Sequence, residues 1–172
     1  MNLYAARKIA ESVVLKLSPY CDRIQIAGSI RRERPEVNDI EIVCIPKRYE
    51  SFDLLGNSEG FLPIQEFVHT VRQWGKVRGE PFGKYTRRVL PEGIELDLFM
   101  VTKDNWGLIL AIRTGSADYS HKILARGWTA KGYRGEGMLI DPNGNPVPVP
   151  EEVDLFRLIG IPWATPRMRE VP

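Results

Sequence analysis

Two stretches constrain the fold of this chain more than any others, "DIEIVCI" at 39–45 and "IELDLFMV" at 94–101. Apolar and acidic side chains alternate in both with period two, the pattern of a strand that turns one face to a core and the other to charge. Ile94, Leu96, Leu98 and Met100 share one face of the second stretch, and Glu95, Asp97 and Phe99 share the other. In the first stretch Ile40 and Ile42 enter the core, so Asp39 and Glu41 stand side by side, about 6 to 7 Å apart. If the two strands are sheet neighbours, Asp39, Glu41 and Asp97 converge on one spot. Like charges held that close raise one another's pKa. Two divalent cations, about 3.5 to 4 Å apart, would relieve the conflict and form a clamp for displacement at phosphorus.

The rest of the chain surrounds these strands with mixed structure. Residues 3–17 carry apolar side chains at helical spacing, and Ser18-Pro19 ends the helix. Residues 23–27 predict a strand that runs into Gly28-Ser29, and Pro46 stops the strand at 39–45. Residues 49–60 read as loop, 64–74 as helix, and 76–78 and 85–90 as strands, with Pro91-Glu92-Gly93 turning into the strand at 94–101. A helix is expected over 106–113, a break at Thr114-Gly115-Ser116, and a second helix over 118–126 closed by Gly127. Residues 128–150 are rich in Gly and Pro with short strand candidates at Tyr133 and 138–140. A short helix over 153–158 stops at Gly160-Ile161-Pro162. The expected class is α/β of the α+β kind.

With 172 residues, 43% hydrophobic and 27% charged, the chain has the size and composition of a domain that buries its own core. Its apolar runs stop well short of the roughly 20 residues of a membrane span, and its first residues lack the apolar core of a secretory signal, so a cytoplasmic protein is expected. Cys21 and Cys44 have no metal-ligand or CxxC companions and read as small packed hydrophobes. Net charge is only +2, yet the basic residues cluster. Arg31, Arg32 and Arg34 form one group, and Lys76, Arg78, Lys84, Arg87 and Arg88 another. Each group reads either as a solvated face or as a set of phosphate contacts.

"GSIRRERPEVNDIEIV", residues 28–43, joins these features. Gly28 at a strand-to-turn junction lets backbone approach a ligand, exposed N–H groups and the Ser29 hydroxyl can cradle phosphate, and Arg31 and Arg32 can supply the counter-charge. The same residues read equally well as an ordinary loop before a half-buried strand with its acids on the wet side.

This spacing of glycine-serine, arginines, acid-x-acid and a later lone acid resembles the nucleotidyltransferase superfamily. Within it the chain looks like the DNA polymerase X family, the group of DNA polymerase beta. "RTGSADYSHKILARG" (113–127) resembles that family's TGS motif and following helix, "EEVDLFRLIGIP" (151–162) its C-terminal helix, and "WATPRMRE" (163–170) its closing segment. The resemblance implies a palm of mixed sheet with two flanking helices over 1–105 and a smaller, thumb-like C-terminal α/β lobe over 106–172. It implies Mg2+, two ions with Mn2+ as a substitute, held by Asp39, Glu41 and Asp97. Asp39 and Glu41 would bridge both ions, and Asp97 would bind only the catalytic ion and receive or relay the proton of the primer 3'-hydroxyl.

Nucleotide binding is implied for Gly28, Ser29, Arg32, Thr114, Gly115, Ser116, Tyr119 and Ser120, with a cis Gly115–Ser116 peptide. Nucleic-acid contact is implied for Lys84, Arg87, Arg88 and His121. The implied activity is addition of a dNMP to a primer 3' end, as in small-gap or repair synthesis, with DNA primer-template and dNTP as partners, in a monomer of the cytoplasm, or of the host-cell cytoplasm for a viral protein. The family's lyase and helix-hairpin-helix domains have no counterpart here, so an accessory protein is expected in their place. The sequence departs from the family pattern at Glu41, where Asp is usual, at Ile112 and Arg113, where two aromatics are usual, at Ser120 in place of Asn, and at Glu95 in place of an arginine. Two other readings remain: transfer to a non-DNA acceptor such as an RNA end, a protein or a small molecule, and a nucleic-acid-binding module without chemistry.

Overall fold

The helical spacing of residues 3–17 becomes α1 (Leu3–Leu17), started by the Asn2 side chain, whose Oδ1 accepts from the Ala5 N–H at 2.9 Å. Its buried stripe of Ala6, Ala10, Val13 and Leu17 lies on one face of a five-stranded sheet. The structure is a computed structural model and describes residues 1–171. The sheet runs β1 (Cys21–Ile26), β2 (Asp39–Pro46), β7 (Glu95–Met100), β6 (Tyr85–Val89), β5 (Gly75–Arg78) in spatial order, with β2 and β7 parallel and the other pairs antiparallel. Phe67, Val68 and Val71 of α3 (Gln65–Arg72) complete the helical layer with α1. Burying each such large side chain stabilises the fold by about 1.5 to 3 kcal/mol. The chain is thus an α+β protein built on a mixed sheet.

The opposite face of the sheet changes character along its strands. On β2 the odd positions run Asp39, Glu41, Val43, Ile45, and on β7 they run Glu95, Asp97, Phe99, then Val101 just past the strand. The apolar half is covered by α4 (Trp106–Thr114), whose Trp106 and Leu110 pack on Val43, Ile45, Phe99 and Val101. The acidic half lies beyond that cover. Alternation puts these residues on one face, and the change from acidic to apolar side chains along it gives that face a charged end and a packed end.

A separate apolar cluster forms among the later residues, from Leu108 and Ala111 of α4 through Tyr119, Leu124, Trp128, Leu139 and Val149 to Leu155, Phe156 and Ile159 of α7 (Glu152–Ile159). Three two-residue strands, β8 (Arg134–Gly135), β9 (Leu139–Ile140) and β10 (Pro146–Val147), form its small sheet in the order β10-β9-β8. Among the described residues, no helix is long and apolar enough to cross a membrane.

Two local expectations are corrected. Residues 49–60 are not simply loop: β3 (Arg48–Phe52) and β4 (Ser58–Pro63) pair as an antiparallel hairpin, and the Gly, Asn, Ser and Asp residues sit at or beside its turn, where Asp53 Oδ1 accepts from the N–H groups of Leu55 and Asn57 at 2.8 Å each. Nor does Gly127 end a helix. α5 (Ala117–Tyr119), a π-helical turn at Ser120–Ala125 and α6 (Arg126–Ala130) run on continuously past it. Gly127 is small because a Cβ there would lie 3.1 Å from Ile159 Cδ1. Its role is close helix packing, and Gly132, at φ 83°, makes the turn.

Candidate active site: an acidic sheet face held by Arg87

Parallel pairing of β2 with β7 sets Asp39 opposite Glu95 and Glu41 opposite Asp97. Antiparallel pairing of β6 with β7 then sets Arg87 opposite Asp97 and Tyr85 opposite Phe99. Four carboxylates, one guanidinium and one phenol thereby share one sheet face. Arg87 Nε and Nη2 donate to Asp97 Oδ1 and Oδ2 at 2.7 Å each, the Tyr85 hydroxyl donates to Asp97 Oδ1 at 2.8 Å, and Arg87 Nη1 stands 3.0 Å from Glu95 Oε2. This is a bidentate, charge-assisted pair on a carboxylate whose side chain is 8% exposed.

The two β2 acids lack such a partner. Burial raises the Asp39 pKa, the charge of Asp97 adds to the rise, and Arg87 only partly opposes it. Burial pushes Glu41 up to about 7, with Asp39 and Asp97 adding to the rise and Arg113 and Arg32 opposing it. Neither acid is comfortable as an anion without a nearby cation. Gly28, at φ 59°, packs directly on Glu41, since a Cβ there would lie 2.3 Å from Glu41 Oε2. Beside it the Ser29 Oγ is buried and has no hydrogen-bond partner. A buried hydroxyl without a partner is a polar group that the fold itself leaves unsatisfied.

Gly28 and Ser29 lie in the short helix α2 (Gly28–Arg31), not in an open turn. The arginines of this segment tie it to later parts of the chain. Arg31 donates to Thr114 Oγ1 at 2.6 Å and grips Glu152 with both terminal nitrogens, at 2.8 and 2.7 Å. Arg169, fully buried, also pairs with Glu152. Burial of Glu152 would raise its pKa, but hydrogen bonds from Arg31 and Arg169 bring it below the ordinary value. Arg32 Nη1 donates to the Thr114 carbonyl at 2.8 Å.

Several of the expected nucleotide-binding groups are already engaged. The Thr114 hydroxyl serves Arg31, the Ser116 Oγ accepts from the Tyr119 N–H at 3.1 Å, and the Ser120 hydroxyl donates to the Ile112 carbonyl at 2.7 Å. Tyr119 is a core residue, and burial raises its pKa. Gly115 leaves no room for a Cβ, which would lie 2.7 Å from Ser120 Oγ. Its peptide to Ser116 is trans, as are all described peptides. Gly115 ends α4 in an extended conformation, at φ −64° and ψ 153°.

On β6 the pleat sends Arg87 and Arg88 to opposite faces. Lys84 and Arg87 line a cleft of about 440 Å³ together with Arg78, Tyr85, Asp97, Phe99 and Arg113. The Arg113 guanidinium sits 4.1 Å from the Phe99 ring centroid, a cation–π contact. Arg88 points to the other face, 2% exposed, and donates to Thr86 Oγ1 at 3.0 Å and to the Gly79 carbonyl at 3.3 Å. A side chain buried this way is not available to a duplex in solvent, so the expected contact at Arg88 is replaced by a structural role. His121 is exposed on the π-helical turn and is not among the residues lining the cleft.

Sequence reasoning missed Tyr85, Glu152 and Glu170. Tyr85 was within reach, since it lies two residues before Arg87 and must share its strand face. No family model matches the chain, and no curated protein matches it.

Proposed function

We propose that this chain is a metal-dependent nucleotidyltransferase, acting as a DNA polymerase that adds a dNMP to a primer 3'-hydroxyl and releases pyrophosphate. The observation that carries the reading is the register that sets Glu41 opposite Asp97 beside Asp39, a carboxylate face whose β2 acids are held above their ordinary pKa. The motif resemblance supplies the reaction class, with residues 1–105 as palm and 106–172 as the nucleotide-selecting lobe.

Asp39, Glu41 and Asp97 would hold two Mg2+ ions, or Mn2+ in their place. Bound there, such ions polarise phosphoryl oxygens and make the attacking hydroxyl more acidic. The chain's own residues do the rest by position and charge. Ser29 and Arg32 bind the phosphates, and Gly28 lets Glu41 close on that segment. Arg87 releases Asp97, whose freed carboxylate takes the 3'-hydroxyl proton, and the Tyr85 hydroxyl keeps Asp97 oriented. Lys84, Arg78 and Arg113 draw the acceptor's phosphates into the cleft.

A nucleic-acid-binding module without chemistry is the second reading, favoured by one observation, the closure of both Asp97 oxygens by Arg87. Extension of labelled DNA and RNA primers in Mg2+ with all nucleotides separates the readings. Extension of DNA supports the polymerase. Extension of RNA alone, or transfer to another acceptor, replaces it with a different nucleotidyltransferase, and binding without transfer leaves the module.

A further inference from the structure

Glu170 lies 138 positions from Arg32 in sequence, yet Arg32 Nε donates to its Oε1 at 2.6 Å. Arg34 Nε stands 3.8 Å from the same oxygen. The Arg32 and Glu170 side chains are 12% and 33% exposed, so water screens the pair only in part. The segment that delivers Glu170 is pinned on both sides. Arg169 is fully buried, its Nε donates to the Ala164 carbonyl at 3.0 Å, and its own carbonyl accepts from the Ser116 N–H at 2.9 Å. Arg167 pairs with Glu33. A fixed segment therefore presents a carboxylate that Arg32 holds at hydrogen-bonding distance, with Arg34 beside it.

The place of Arg32 gives that contact meaning. Arg32 closes the same short helix, α2, whose Gly28 packs directly on Glu41. Three residues before Arg32, the buried Ser29 hydroxyl has no partner. To a guanidinium, a carboxylate and a phosphate offer the same thing, negatively charged oxygens at hydrogen-bonding distance.

We propose that the Glu170 carboxylate is a built-in anion that occupies Arg32 in the ligand-free protein, and that a nucleoside triphosphate must displace it to bind. This inference rests on the assignment of Ser29 and Arg32 to the phosphate grip. Arg34, already near the same oxygen, receives the displaced carboxylate. Glu170 is then a competitor, which sets its effect opposite in sign to that of a residue that merely orients Arg32.

The test is the Kd of a fluorescently labelled deoxynucleoside triphosphate, followed by anisotropy in Mg2+, for the wild type, Glu170→Gln and Glu170→Asp. Loss of the competing charge tightens binding about three- to tenfold in Glu170→Gln, on the scale of one partly exposed charge-assisted contact. Glu170→Asp, which keeps the charge but shortens its reach, gives a smaller gain of the same sign and serves if Glu170→Gln melts below the assay temperature. In an Arg32→Ala background, Glu170→Gln produces no further change. Equal or weaker binding by both Glu170 variants overturns the inference and leaves the phosphate grip standing. No triphosphate binding by the wild type overturns the grip itself.

Discussion

Arg87 holds both oxygens of Asp97 at 2.7 Å, from a strand position directly opposite it in the sheet. The pair neutralises one acid of a four-carboxylate face and leaves Asp39 and Glu41 without an equivalent partner. On the proposed function, a cation bound at that face would compete with the Arg87 guanidinium for the Asp97 oxygens.

Replacing Arg87 by Ala leaves Asp97 unpaired among Asp39, Glu41 and Glu95, at a cost of about 1 to 3 kcal/mol for a partly buried charged partner. The melting temperature should fall in buffer with chelator. The fall should shrink when Mg2+ is added, because divalent ions then supply the missing charge. Thermal melts with and without Mg2+ check this, and a loss of the same size in both contradicts it.

Glu41 gives the protein an unusual pH dependence of stability. Its pKa is near 4.5 when unfolded and about 7 when folded. Between these values the folded state holds more protons than the unfolded state, so stability falls as pH rises. The penalty is absent below about pH 4.5 and complete above about pH 7, and amounts to roughly 3 kcal/mol. Asp39, also raised, adds to the loss in the same direction. Denaturant melts across pH 4.5 to 7 in chelator should show the decline, and Glu41→Gln should remove most of it.

Glu152 joins Arg31 and Arg169 in a buried cluster that ties α2 to α7 and to the segment around Arg169. Glu152→Gln leaves two arginines short of a counter-charge and should cost about 3 to 5 kcal/mol. Adding Arg169→Met to Glu152→Gln should recover part of that loss, since the buried charge goes with its partner. Urea melts of the single and double variants measure the coupling.

Gly28→Ala tests the contact between α2 and the acids. The new Cβ would need a φ of 59° and would lie 2.3 Å from Glu41 Oε2. The strain costs about 1 to 2 kcal/mol. Because Glu41 must also move, nucleotide incorporation should fall by about tenfold or more, well beyond the change in folded fraction.

Strand alternation made the heart of this site readable before any fold was known. Asp39, Glu41 and Asp97 converge because period two places them on one face, and the same rule buries Ile40, Ile42, Leu96 and Leu98. It also separates neighbours: Arg87 faces the cleft and Arg88 the opposite side, so the two do not form one basic patch. The hairpin at 48–63 was hidden because the turn residues near its tip outweigh its short pairing stretches. Other features depend on chain segments far apart in sequence. The Arg31–Glu152–Arg169 cluster and the Arg32–Glu170 contact exist only once those segments fold together, and no local pattern encodes them.

The most direct measurement is single-turnover incorporation of a dNMP into a labelled DNA primer in Mg2+, by the wild type and by Asp97→Asn matched for folded fraction. The wild type should extend the primer, and Asp97→Asn, which keeps the shape but not the charge, should do so about 10² to 10³ times more slowly. Equal rates for the two proteins would contradict a role for the acidic face in nucleotidyl transfer.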